Sequence, residues 1–261
     1  MRPRIERKFL SLKLAQVVLP CVCLWLTAVS TFAAPSVSRV LIHPDVSRAH
    51  RDELVNRLRV ITGLTNLRFE SNGALHLDGQ PARGSERARA LLSEAINGAN
   101  VIILEDASSR SDVAFCRVVR GRWLRAEPAK PPAYVVLIDF TDFEQLSGDA
   151  EARAAFDVGW GLLHEIDHVV TGSEDSKDEG VAGVCEDHIN QMRLELGLPV
   201  RADYFFSRAY LNADANFSTR YVRLSFERRD QRSSETKRYW LVWDAMTVGG
   251  LLGDGQRALV R

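Results

Sequence analysis

Two histidines stand four residues apart in an apolar stretch, Leu162-Leu163-His164-Glu165-Ile166-Asp167-His168-Val169-Val170. Residues at that spacing share one face of a helix, so both imidazoles point the same way. The apolar flanks on either side require the helix to be buried. Apolar periodicity predicts a long helix over residues 149–170, then a polar, acidic break at 172–178. A second helix is predicted over 179–196, stopped by Gly197 and Pro199. A break that short lets the two helices pack antiparallel, so the fold has to cover a pair of consecutive helices bearing inward polar groups.

The rest of the chain supplies strands to pack on them. Residues 37–43, 67–69, 74–77, 101–104 and 113–119 read as short strands, with Asn72-Gly73 as a hairpin turn. Residues 50–62 and 85–97 have helical apolar spacing. The strongest strand is 134–140, a nearly unbroken apolar run that suggests burial on both faces. It lies just upstream of the two-histidine helix, where a substrate-binding edge strand would be expected. Residues 127–132 form a proline-rich connector. Two further strands, 219–227 and 237–243, form a C-terminal hairpin. The expected fold is α+β, a small mixed sheet packed on the two consecutive long helices. At 261 residues and 46% hydrophobic, the chain is long enough to bury such a core.

The first 33 residues read as a targeting segment. Five basic side chains precede an apolar run at 14–29, which is followed by Ser30-Thr31-Phe32-Ala33-Ala34 and suits cleavage after Ala33. An uncleaved N-terminal anchor is the rival reading. Residues 34–261 then form a single domain, secreted or periplasmic. The formal net charge is zero, but without the basic leader the remainder is mildly acidic. That excludes the electrostatic footprint of a nucleic-acid binder. Of four cysteines, Cys21 and Cys23 lie in the leader; Cys116 and Cys185 remain, either paired or as buried thiols. No Cys-x-x-Cys pair follows the leader, so a cysteine zinc site is not expected.

The two-histidine helix carries a full His-Glu-x-x-His motif. His164 and His168 reach one metal ion, and Glu165 lies beside them to take a proton from water on zinc. The charged Asp167 departs from the uncharged residues that zinc proteases usually carry there. A catalytic site needs a third protein ligand, and the following helix offers Glu186 first, then Asp187, His188 and Glu179. With Glu186 positioned 18 residues after His168, the stretch 164–199 resembles the gluzincin class of zinc peptidases. In that class a helix after the motif supplies a glutamate ligand, and an Asp four residues later orients the first histidine. Here Asn190 stands in the place of that Asp. The resemblance implies a Zn2+ cofactor, a peptide or protein substrate, metal ligands His164, His168 and Glu186, and Glu165 as general base.

Tyr204 and Tyr210 are candidates to stabilise a developing oxyanion, or half-buried packing residues. His43, His50 and His76 are expected to be structural or exposed. Asp175, Asp178 and Glu179 lack EF-hand spacing for calcium. Trp240 and Trp243 are expected to pack a sheet. No serine sits in a nucleophile-elbow context. The acidic 174–179 segment borders the presumed cleft and favours basic or neutral substrates. Two rival readings remain: a zincin-fold scaffold or binding protein with zinc structural or absent, and an envelope protein without metal.

Overall fold

The computed structural model describes residues 38–248 apart from 82, 109, 124–129, 209–219 and 231–233. The expected targeting segment, with Cys21 and Cys23, lies outside the described residues, as do Tyr210 and residues 127–129 of the proline-rich connector. Among the described residues, no helix is long and apolar enough to cross a membrane.

The architecture is α+β, with six helices and three small sheets among the described residues. The N-terminal half runs β1 (Val40–Ile42), α1 (Arg48–Thr62), β2 (Arg68–Phe69), β3 (Leu75–His76) and α2 (Glu86–Asn97). It continues through β4 (Val101–Asp106), β5 (Cys116–Arg120), β6 (Ala133–Ile138) and α3 (Phe140–Glu144). The second half runs β7 (Ser147–Gly148), α4 (Ala150–Ala154), α5 (Val158–Thr171), α6 (Val184–Glu195), β8 (Val200–Arg201) and β9 (Ser207–Arg208). It ends in β10 (Tyr221–Arg229) and β11 (Thr236–Asp244), the expected C-terminal hairpin.

The first sheet has the order β1-β4-β6-β5. β1, β4 and β6 are parallel, while β5 lies antiparallel to β6 with Val118 opposite Val136. β6 is therefore an interior strand, which corrects its expected place at the edge. Its apolar run reflects neighbours on both sides, and the edge belongs to β5. Leu54 and Leu58 of α1, Leu92 of α2, Ile102 and Leu104 of β4, Val136 of β6 and Leu162, Leu163 and Ile166 of α5 form one buried core. A second core joins Val222, Leu224 and Phe226 of β10 to Tyr239, Leu241 and Trp243 of β11 and Ala152 of α4.

Both long helices are shorter than the periodicity predicts. The first is interrupted at Asp157, whose extended backbone and side chain cap α5 by accepting from Gly159 N and Trp160 N at 2.9 and 3.2 Å. The second starts only at Val184, after Gly183 in a left-handed conformation (φ +87°) that brings it against the Ser176 backbone. Residues 172–183 are consequently a loop that folds back onto α5 rather than the first turns of α6. Gly161 lets α5 lie close to the first sheet: a Cβ there would stand 2.9 Å from Phe143 Cζ and 3.0 Å from Cys116 Sγ.

Candidate metal centre

α5 is buried on the faces bearing Leu162, Leu163, Ile166 and Trp160, and its remaining face presents His164 and His168. Their rings meet at 88° with centroids 4.8 Å apart. The two Nε2 atoms are 3.2 Å apart, and the loop brings Asp175 Oδ1 to 2.9 Å from His164 Nε2 and 3.4 Å from His168 Nε2. Three donor atoms thus converge from one helix and the loop that follows it. A tetrahedral ion with bonds of about 2.0–2.1 Å has donor–donor edges of roughly 3.3–3.4 Å. The donor set of two imidazoles and a carboxylate fits zinc with little adjustment.

The opposite side of each ring is held by an acceptor. His168 Nδ1 donates to Ser173 O at 2.7 Å, and His164 Nδ1 lies 3.2 Å from Glu186 Oε2. Both bonds favour the tautomer with hydrogen on Nδ1, leaving the Nε2 lone pairs facing inward. Asp175 Oδ2 accepts from Tyr204 OH at 2.7 Å, which leaves Oδ1 turned to the histidines.

Glu186 is thereby placed beside His164 Nδ1 rather than among the converging donors. It is nearly fully buried, with Oε1 paired to Arg193 Nη1 and Oε2 3.0 Å from Arg201 Nη1. Asn190, in the position of the expected orienting Asp, does not reach His164. Its Oδ1 accepts from Arg193 Nη1 and Arg201 N, both at 2.8 Å, and its amide donates to Arg201 O. Asp187 and Glu179 are exposed. His188 Nδ1 is 3.0 Å from Asp167 Oδ2, which also accepts from Ser173 Oγ at 2.6 Å. The charged residue inside the motif thus ties the loop and α6 to α5.

Glu165 is buried, and its Oε2 accepts from Val118 N of the edge strand β5 at 2.8 Å. The carboxylate is therefore fixed between the histidines and the outward edge of the sheet. A cavity of about 130 Å3 adjoins it, lined by Cys116, Phe156, His164, Glu165, Glu186 and Tyr204 among others.

The electrostatics match a site built for positive charge. Burial works against charging His164, yet Asp175, Cys185 and Glu186 hold its pKa well above the ordinary value. Burial likewise opposes the charged form of His168, and the Asp175 carboxylate outweighs it, raising the pKa to about 11. Despite burial, Asp175 is pushed far below the usual carboxylate range by the two histidines and Tyr204. Arg193 and Arg201 do the same for Glu186. Burial raises the Glu165 pKa, partly offset by His164 and His168.

Of the residues the sequence singled out, the structure places His164, Glu165 and His168 close together on α5. The sequence signal missed Asp175, because a donor in an irregular loop leaves no periodic trace; the glycines at 172, 180 and 183 around an acidic segment are the only hint. His43, His50 and His76 pair with Asp45, Asp106 and Glu70. Trp243 packs in the second core, and Trp240 lies beneath Arg223, whose guanidinium is 4.0 Å from the ring centroid. Cys116 and Cys185 are both free thiols. Compared with protein-family models, curated proteins and solved structures, the chain finds no match.

Proposed function

We propose that the chain is an exported zinc-dependent hydrolase, a peptidase of zincin-like organisation. The observation that carries this reading is the convergence of His164 Nε2, His168 Nε2 and Asp175 Oδ1 within 2.9–3.4 Å, beside a buried glutamate. In this reading Asp175 takes the ligand role that the sequence gives to Glu186, and Glu186 orients His164 through Nδ1. A zinc ion held by His164, His168 and Asp175 would polarise the substrate's scissile carbonyl and make water acidic enough to attack near neutral pH.

The remaining work falls to side chains of the chain. Glu165, midway along α5, accepts the proton of the attacking water and passes it to the leaving amine. Burial raises its pKa above the ordinary carboxylate value, which favours a group that takes up a proton and gives it back. Val118 N–H holds that carboxylate in place, and the outward edge of β5 offers an extended peptide further backbone partners. Tyr204, bonded to Asp175, fixes the third ligand.

Metal content and peptide hydrolysis measured together test the proposal. Wild type and Glu165→Gln are expected to hold one zinc per chain, with hydrolysis in Glu165→Gln reduced by about 10²–10⁴-fold. His164→Ala and Asp175→Ala are expected to lose the metal. Zinc-free wild type after metal-replete purification would sink the reading. The rival, a metal-bearing scaffold, is favoured by the closeness of Cys185 to the same donors. It predicts zinc without turnover in wild type and Glu165→Gln alike.

A further inference from the structure

We propose that Cys185 is the fourth protein donor of this centre, so that the resting site is closed and hydrolysis requires the Cys185 side chain to be displaced. The inference rests on the metal reading above. One donor atom each from His164, His168, Asp175 and Cys185 lies within 4.8 Å of all the others. Sγ is 3.4 Å from His164 O and 3.5 Å from His164 Nδ1, the ring nitrogen turned away from the other donors, so it reaches a metal at Nε2 by rotation about the Cys185 Cα–Cβ bond. Cys185 is fully buried on the first turn of α6 and is not in a disulfide.

A thiol is only a weak hydrogen-bond donor, so these contacts give it little reason to be there. As a ligand, by contrast, thiolate is among the preferred partners of zinc, at about 2.3 Å. Two imidazoles, one carboxylate and one thiolate make four donors, the number found in sites without an open position. Glu186 and the Asp175–Gly183 bridge hold the turn itself, so withdrawal of Sγ is a rotation about the Cys185 Cα–Cβ bond while His164, His168 and Asp175 stay in place.

Cobalt(II) loading of the full chain tests this without a substrate. Wild type is expected to show the visible bands of four-coordinate cobalt together with a strong near-ultraviolet sulfur-to-metal charge-transfer band. Cys185→Ala is expected to keep the visible bands, lose the near-ultraviolet band and change colour on adding azide, to which wild type is indifferent. Cys116→Ala serves as the control and keeps the sulfur band. Cobalt bound by wild type without that band, or a band that depends on Cys116, overturns the fourth-donor assignment and leaves the three-ligand reading intact. Wild type that binds no cobalt overturns both.

Discussion

Asp175 and Glu186 both lie against His164, and their surroundings give them opposite roles. Glu186 neutralises two guanidiniums in the interior, whereas Asp175 is partly exposed and faces only the histidines and Tyr204. Removing one partner of a buried ionic network leaves uncompensated charge, at a cost of about 3–5 kcal/mol. Glu186→Ala is therefore expected to lower unfolding free energy by about that amount with or without metal, measured by urea denaturation. Asp175→Asn is expected to abolish zinc uptake and to cost metal-free stability only while its histidine partners are charged, because the amide is still able to accept from Tyr204. Equal effects of the two substitutions on stability would contradict the division of roles.

Protons and metal also compete at single atoms. In the metal-free protein His168 stays protonated up to about 11, against an ordinary 6.5. Its pairing therefore stabilises the fold fully below pH 6.5, and that contribution drains away as pH rises through 11. Asp175, shifted down from 3.8, contributes fully above that value and loses its effect as pH falls. The metal-free site thus stabilises most between about pH 4 and 6.5. Metal needs both imidazoles deprotonated, so its stabilisation grows with pH. Thermal unfolding with zinc and with chelator is expected to give curves that diverge from pH 6 to 8; parallel curves would refute the assignment.

Among the elements, α5 is held at a distance only glycine allows. Gly161→Ala would push a methyl group into Phe143 and Cys116, and is expected to cost about 1–3 kcal/mol. Because the strain falls between α5 and β5, peptide hydrolysis should drop together with the melting temperature; an unchanged melting temperature would argue against that close approach. The same elements explain what the sequence made legible. The face of α5 was readable because a 3.6-residue period puts His164 and His168 together whatever surrounds them. Strand order was not: an apolar run reports burial of β6 but carries no information on which neighbour lies beyond it. The C-terminal hairpin was readable from alternation, confirmed by Val222 opposite Trp243. The start of α6 was hidden because residues 179–183 suit a helix by spacing, while Gly183 and the backbone bridge from Asp175 bend them away.

At the scale of the whole molecule, the candidate centre sits where parts of separate origin meet. β5 supplies the backbone N–H that holds Glu165, α5 the histidines, and β8 the Arg201 that anchors Glu186. The loop at 172–183 is held differently. Asp175 reaches His164, His168 and Tyr204, Ser173 reaches His168 and Asp167, and Lys177, two residues beyond Asp175, is largely exposed. An ion shared by Asp175 and α5 would pin the middle of this loop to the body of the protein. Occupancy should then be legible to a protease: trypsin is expected to cut after Lys177 readily in chelator-treated protein and slowly in zinc-loaded protein, with mass spectrometry locating the nick, and equal rates would mean the loop is fastened without metal. A cell that starved the protein of zinc would on this account be left with a chain primed for its own destruction.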